Sequence, residues 1–245
     1  MIIVYFVLGL VIGSFLNVCI DRLPRKESIL SPPSRCTACG QQLRPLDLIP
    51  VVSFLLLRGR CRYCTAPLPW RLPVVELGTG LLFAFLWYHL GPSVQLLLLT
   101  AYASILVVVL FIDLEHRLVL NVVSYPAIVL ALVAAPFTPN QTILRLLLGG
   151  LVGFVIFLII ALVYPGGMGM GDVKLATFLG LVTGFPQVII FIYISFIIGG
   201  LVALGLLVTR LKKRKDPIPF APFLVIGGFT TMVYGQEILR WFLAR

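Results

Sequence analysis

Long apolar runs alternate with short polar segments along most of the chain. A helix needs about 20 apolar residues to span a membrane, and the runs predict eight such helices. The predicted spans are residues 2–20, 73–90, 94–112, 122–138, 143–164, 173–185, 187–209 and 222–243. The pattern therefore predicts an all-α polytopic membrane protein with about eight transmembrane helices, the first of which is retained rather than cleaved.

The pattern also divides the chain into three parts. Residues 1–20 are predicted to form the first transmembrane helix, residues 21–72 a small polar domain, and residues 73–245 a seven-helix membrane core. The span at 173–185 is only ~20 Å long as a helix, too short to cross a ~30 Å apolar layer alone. The glycine-rich segment GGMGMGD at 166–172 is therefore expected to lie inside protein or beside a wet cavity.

Composition agrees with a membrane protein and charge predicts its orientation. The 245 residues are 60% hydrophobic and 11% charged, whereas soluble domains are about a quarter charged. The net charge of +10 is concentrated in residues 22–71 and 210–215. Basic loops favour the cytoplasmic side, so both segments are predicted there and both termini outside. We attribute this charge to topology and to contact with anionic membrane lipid, and expect no nucleic-acid binding.

Four of the five cysteines form two C-x-x-C pairs in the polar domain. The pairs are Cys36 with Cys39 and Cys61 with Cys64. Two such pairs complete a tetrahedral four-thiolate site with no open position for water, which is typical of structural zinc. A redox pair or unmetallated thiols are the alternatives. Zinc is the prediction because a cytoplasmic loop disfavours disulfides.

Two of the nine acids fall at the predicted cytoplasmic membrane boundary. Asp113 ends one apolar helix and Asp172 begins another, and ionisable residues in such places are usually paired or functional. The simpler interpretation of Asp113 is an ion pair with Arg117 at i+4. The simpler interpretation of Asp172 is an acid that caps the N-terminus of its helix. The simpler interpretation of the preceding glycines is that they allow close helix packing or a turn.

Two neighbouring carboxylates favour aspartic-peptidase chemistry, in which the pair shares one proton and activates a water. Asp172, at a helix N-terminus, is expected to be the ionised member, with Asp113 holding the proton. Serine chemistry is not expected, because the two histidines offer no suitable partner. His116 is three residues from Asp113 and is expected to tune or orient it.

Several motifs in order make the chain resemble the type IV prepilin peptidases, which are GxGD-type membrane aspartic peptidases. The motifs are GSFLNV at 13–18, RLP at 22–24, SRCxxC at 34–39, DLIPVVS at 47–53, LRGRCRxC at 57–64, PVVEL at 73–77, IDLEH at 112–116 and GMGDVKL at 169–175. The resemblance covers most of the chain, and its ordered set of motifs is highly specific.

The resemblance implies a function and its residues. Asp113 and Asp172 match the catalytic aspartates, and the four-cysteine loop matches the zinc loop. The positions predicted to support catalysis are Gly169, Gly171, His116 and Lys174. The substrates would be prepilins or pseudopilins of type IV pili or type II secretion, cut at the cytoplasmic face of the bacterial inner membrane.

The resemblance also implies a second activity. Many members methylate the new N-terminus with S-adenosylmethionine, and the full cysteine loop resembles that of the bifunctional members. Asp47 and Glu76 are the acids expected to contact substrate or cofactor. The chain departs from the family's common sequence at two places. It has Leu120-Asn121 where Pro-Asp or Pro-Asn is common, and Phe220-Ala221-Pro222 where Phe-Gly-Pro is common. Neither change is expected to touch a carboxylate. The competing hypotheses are a proton-coupled transporter with a structural zinc loop and a scaffold without chemistry.

Overall fold

A computed structural model describes residues 1–139, 141–164, 168–211 and 218–244. Most of the predicted basic cluster at 210–215, and Gly166 and Gly167 of the glycine-rich segment, lie outside the described residues. Within these ranges the protein is helical, and its β-structure is limited to two isolated bridges. The all-α prediction is confirmed.

Nine α-helices and two 3-10 turns make up the described chain. The helices are α1 Ile2–Arg22, α2 Val52–Leu56, α3 Arg71–Leu90, α4 Val94–His116, α5 Asn121–Ala134, α6 Ile143–Val163, α7 Met170–Thr183, α8 Gln187–Val208 and α9 Ala221–Leu243. The 3-10 turns are Pro45–Leu48 and Ala135–Phe137. Each predicted apolar run contains one long helix, whereas the short α2 in the polar domain was not predicted.

Of the nine described α-helices, five are long and apolar enough to cross a membrane: α1, α3, α4, α6 and α8. The shorter α5 is also apolar and continues into a 3-10 turn that ends at Phe137. The protein is thus a multi-pass membrane protein. Membrane crossing by α5, α7 and α9, the total of eight spans and the orientation of the loops stay predictions.

The chain forms two compact units, Met1–Val108 and Val109–Arg245. In the first unit α1 packs along α3. A side chain at Gly13 would place its Cβ 2.8 Å from the Cα of Glu76, so only glycine lets the two backbones approach this closely. Asn17 then donates to the carbonyl of Leu72 at 3.0 Å, joining the end of α1 to the start of α3.

In the second unit α7 is the central helix, because α5, α6 and α9 all pack against it. Val173, Ala176 and Leu179 have no exposed surface. The middle of this 14-residue helix is therefore enclosed by its neighbours, while Met170 at its start is 53% exposed. The helix begins at Met170, three residues before the predicted start. The predicted division into residues 1–20, 21–72 and 73–245 stays a prediction.

Candidate active site and metal centre

Asp113 lies in the last turn of α4 and is buried, with 5% of its surface exposed. The backbone N–H of Ala221, the first residue of α9, donates to its carboxylate. Its Oδ2 atom has no hydrogen-bond partner among the described residues. Buried polar atoms are normally satisfied, so this oxygen is available to a water or a substrate.

The ion pair considered for Asp113 does not form. Arg117 follows the end of α4 with a φ of 56°, in the left-handed region, while its N–H still donates to the Asp113 carbonyl at 2.8 Å. The chain therefore leaves the helix before i+4 pairing is possible. No ion pair joins Arg117 to Asp113 in the part of the chain that is described.

Asp172 is the third residue of α7 and is buried. It is not the N-cap residue; that position is Gly169, whose N–H donates to Asp172 Oδ2 at 3.2 Å. Its carboxylate lies close enough to that of Asp113 for the two charges to interact. The end of α4 and the starts of α7 and α9 thus bring two acids together, with helix N-termini favouring negative charge there.

The two glycines predicted to support Asp172 have different surroundings. A Cβ on Gly171 would lie 2.6 Å from the Cβ of Val119 and 3.1 Å from its carbonyl oxygen. Among the described residues, a Cβ on Gly169 would meet nothing closer than Asp172 Oδ2 at 3.7 Å. Glycine is therefore required for packing at 171, where α7 touches the segment after α4, whereas the described neighbours leave room for a side chain at 169.

The four predicted metal ligands converge in the loop between α1 and α3. The Sγ atoms of Cys36, Cys39, Cys61 and Cys64 all lie within 4.8 Å of one another, and Cys36 and Cys64 are 3.8 Å apart. Zn–S bonds of about 2.3 Å in a tetrahedron place sulfurs about 3.8 Å apart. The donor set therefore fits a closed four-thiolate metal site.

Local hydrogen bonds shape the two cysteine pairs alike. Cys36 N–H donates to the carbonyl of Gln41 at 2.9 Å, and Cys61 N–H donates to that of Ala66 at 2.8 Å. An N–H bond from Cys39 lowers the pKa of Cys36 to about 7, which favours the thiolate that metals bind. An N–H bond from Ala66 lowers the pKa of Cys64, but burial and the other three sulfurs outweigh it and raise the pKa to about 12. Four neighbouring thiolates repel one another, so a bound cation is needed for all four cysteines to ionise together.

The sequence matches two known protein-family domains. Residues 7–90 match the bacterial peptidase A24 N-terminal domain, and residues 100–204 match the type IV leader peptidase family. A protein of Bacillus subtilis (strain 168) named prepilin leader peptidase/N-methyltransferase is 31% identical over 243 residues, which are 99% of this chain and 98% of that protein. The chain belongs to the type IV leader peptidase family.

Other relatives agree. Proteins with the same name from Pseudomonas aeruginosa and Aeromonas hydrophila are each 32% identical, covering 96% and 97% of this chain and 91% and 92% of their own lengths. No solved structure matches the chain. The predicted resemblance is thus confirmed, the chain is an enzyme of this peptidase family, and the transporter alternative is not favoured.

Within this leader peptidase, the other predicted support residues lie apart from the carboxylates. His116 is exposed at the end of α4 and makes no hydrogen bond to Asp113. Lys174 donates to Asn121 Oδ1 at 2.6 Å and lies 4.7 Å from the Tyr125 ring centroid. Lys174 therefore ties α7 to α5, and catalytic roles for both residues stay predictions.

One of the two departures lies beside a carboxylate, although the contact is made by backbone that any residue would supply. Ala221 supplies the backbone N–H that donates to Asp113. Asn121 reaches only Lys174, two residues from Asp172. A backbone donor has no side-chain signature, and the one available signal was Pro222, which marks the first turn of a helix and so its free N–H groups.

Asp47 links the 3-10 turn Pro45–Leu48 to the second cysteine pair. Arg62 Nε lies 2.6 Å from its Oδ1, while Tyr63 Oη and the N–H of Arg44 donate to its Oδ2 at 3.2 and 3.1 Å. Partial burial raises the pKa of Asp47, but these hydrogen bonds and the Arg62 charge outweigh it and hold the pKa below its usual value. Its carboxylate is therefore ionised and already fully engaged at neutral pH.

Glu76 is buried on α3 and also has partners. Its Oε2 accepts from Val51 N–H at 2.7 Å, and Ser14 of α1 donates to the same carboxylate. Val51 has a φ of 61°, which is rare and strained for a β-branched residue. Sequence reasoning identified Glu76 but missed Val51 and Ser14.

Asp47 and Glu76 line one cavity of about 810 Å³ in the first unit. The cavity is lined by the cysteine loop and the facing ends of α1 and α3. Its charged lining includes Glu27, Arg25 and Arg35, and it also reaches Cys36 and Cys61. Small-molecule sites commonly measure about 300–1,000 Å³, so a cofactor-sized ligand fits.

Proposed function

We propose that this protein is a membrane aspartic endopeptidase that removes the basic leader of prepilins or pseudopilins. The observation that carries the proposal is the pair of buried carboxylates, Asp113 and Asp172, one of which has an unpartnered oxygen. The names of the relatives supply the substrate class. No other pair of acids in the described chain combines burial with a free oxygen.

We assign a role to each acid. Asp172, at a helix N-terminus and accepting an N–H bond, is the ionised base that takes a proton as water attacks the peptide carbonyl. Asp113 is the protonated partner that donates to the carbonyl oxygen. When the tetrahedral species collapses, Asp172 gives its proton to the leaving amine nitrogen, the C–N bond breaks, and the new carboxyl returns a proton to Asp113.

The topology completes the proposal. We infer eight membrane crossings in the bacterial inner membrane, with the cysteine loop and the carboxylates at the cytoplasmic face and both termini outside. The prepilin's apolar helix then stays in the membrane while its basic leader reaches the carboxylates from the cytoplasm. The metal is zinc, whose four thiolate ligands leave it a structural role.

We further propose that the 810 Å³ cavity holds S-adenosylmethionine. When bound, this group supplies an electrophilic methyl group to the new N-terminal amine. Glu76 and Glu27 would face its sulfonium and ammonium charges, and Arg25 and Arg35 its carboxylate. The carboxylate of Asp47 would act through Arg62, which it holds at 2.6 Å.

Peptidase function is tested with a synthetic prepilin segment carrying a basic leader, a glycine at the junction and an apolar helix. Purified protein in lipid nanodiscs should release the leader after the glycine, as read by mass spectrometry. An Asp113→Asn/Asp172→Asn double variant is the control. Cleavage elsewhere in the peptide, or equal cleavage by the double variant, contradicts the proposal.

Cofactor binding is tested separately from cleavage. In the Asp113→Asn/Asp172→Asn background, labelled S-adenosylmethionine should still bind, and Glu76→Gln should weaken binding at least about tenfold, as expected for loss of a hydrogen bond to a charge. Glu237→Gln, an exposed acid of α9, is the matched control. Binding that Glu76→Gln leaves unchanged removes this cavity as the site and leaves the peptidase proposal standing.

A further inference from the structure

An exposed apolar surface lies in the loop between α1 and α3. It comprises residues 46–56, which include α2 and most of the 3-10 turn before it. Its exposed side chains are Leu46, Leu48, Ile49, Val52, Leu55 and Leu56. Leu55 is 65% exposed and Leu56 is 78% exposed. Six exposed apolar side chains within eleven residues favour a contact surface.

Two contacts fix α2 beside α3. Val51, the N-cap of α2, donates to Glu76 Oε2 at 2.7 Å. The buried ring of Phe54 lies 5.2 Å from the ring of Trp70. Trp70 directly precedes α3, and Glu76 lies five residues inside it, or ~7.5 Å along the helix axis. The short helix therefore lies alongside the first two turns of α3 and not beyond its end.

The position of α3 in the membrane gives the depth of α2. α3 has 20 residues and meets the criteria for a membrane span, and its ~30 Å length equals the thickness of the apolar layer. Its first two turns must then lie near the boundary between headgroups and acyl chains. Trp70 is 75% exposed there, and exposed tryptophans are typical of that boundary.

Charge at both ends of the surface suits the same environment. Arg44 precedes it, and Arg58 and Arg60 follow it, all three exposed. Apolar segments flanked by arginines lie in the interface plane, where the cations meet lipid phosphates. In a loop that faces water, the exposed leucines would have no apolar partner. In a loop that faces the membrane, they contact acyl chains and the arginines contact lipid phosphates.

We propose that residues 46–56 lie in the headgroup layer of the membrane, with Leu55 and Leu56 among the upper acyl segments. The partner is the lipid bilayer itself, and the contact docks the metal-binding loop on the membrane that α1 and α3 cross. The inference goes beyond the proposed function, since neither cleavage nor methyl transfer requires it.

The test uses tryptophan fluorescence in nanodiscs of phosphatidylcholine and phosphatidylglycerol. In a Trp70→Phe/Trp87→Phe/Trp241→Phe background, Leu56→Trp is the reporter. Gln41→Trp, at an exposed position on the first cysteine pair, is the matched control. Lipids brominated near the headgroup end of the acyl chain should quench the reporter several-fold more than the control, and the reporter's emission should be blue-shifted.

Two results would overturn the proposal. Water-like emission with no more quenching than the control would place the surface in solvent. Blue-shifted emission without bromolipid quenching would mean that protein, such as a second copy of the chain, covers it. Both variants must bind metal as the parent does, and Leu55→Trp provides a second reporter if Leu56→Trp fails that check.

Discussion

The acids of the two units differ in what surrounds them. In the unit Met1–Val108, Asp21 pairs with Arg71 at 2.6 Å, Asp47 pairs with Arg62 at 2.6 Å, and Glu76 accepts from Val51. In the unit Val109–Arg245, Asp113 keeps an unpartnered oxygen and Asp172 accepts one N–H bond. The first set of acids holds segments together, while the second set is held by helix ends.

This difference separates structural from chemical use of a carboxylate. A buried acid that accepts backbone and side-chain hydrogen bonds is fixed in place by them, as Glu76 is by Val51 and Ser14. A buried acid with a free oxygen costs stability, and such groups cluster at functional sites. Burial alone would have grouped Glu76 with Asp113, and hydrogen-bond partners distinguish them.

The largest effect on the structural side should come from the metal site. Cys36→Ser/Cys61→Ser removes one thiolate from each pair, so about one equivalent of bound zinc should be lost together with the fold of the loop. Metal analysis of the protein purified under reducing conditions gives the answer. Cys19→Ala, at a buried cysteine outside the cluster, should retain the metal. Equal metal content in both proteins would contradict the assignment.

Gly169 and Gly171 test how closely Asp172 must be positioned for cleavage. Gly171→Ala pushes α7 against Val119 and displaces Asp172, so cleavage should fall by about tenfold or more, since small misplacements of catalytic groups are costly. The described neighbours leave room for Gly169→Ala, and the φ of −83° at this position suits alanine. It should change the rate by less than about threefold. The measurement is the cleavage rate of each variant. An equal loss in both would contradict the claim that only position 171 is too tightly packed for a side chain.

The smallest effect concerns Asp47. Asp47→Asn should lower the free energy of unfolding by less than about 1 kcal/mol at neutral pH. The native pKa is held below its usual value, so this stability exists above the unfolded pKa of about 3.9. It is lost as pH falls through the lower native pKa.

The melting temperatures of the parent protein and of Asp47→Asn, measured between pH 7 and pH 3, test this. Acid also releases the metal, but it does so in both proteins, so the difference between their melting temperatures is what counts. The difference between them should shrink towards acid. A difference in melting temperature that grows as pH falls would show that Arg62 does not stabilise the ionised carboxylate of Asp47.

Much of the fold follows from local pattern. Apolar runs predicted every long helix because helix formation in a membrane depends on local hydrophobicity. The C-x-x-C spacing predicted the metal site because each pair is a local turn. Asp113 and Asp172 were found because a charge next to an apolar run is conspicuous in sequence.

What escaped prediction depends on contacts between distant segments. The N–H of Ala221 reaches Asp113 from more than 100 residues away. Lys174 bonds to Asn121, and Val51 takes a strained conformation opposite Glu76. Each depends on how helices meet, and no periodicity or spacing encodes that.

We propose that Asp113 and Asp172 do the chemistry, while the contacts of Asp21, Asp47 and Glu76 hold segments of the first unit together. The most direct measurement is the cleavage rate of one prepilin peptide by Asp113→Asn, Asp172→Asn and Asp21→Asn, compared at equal metal content in the same nanodiscs. The first two should lose at least about a thousandfold in rate, and Asp21→Asn should stay within about tenfold of the parent. Substantial cleavage by either Asp113→Asn or Asp172→Asn, or an equal loss in all three, would contradict the account.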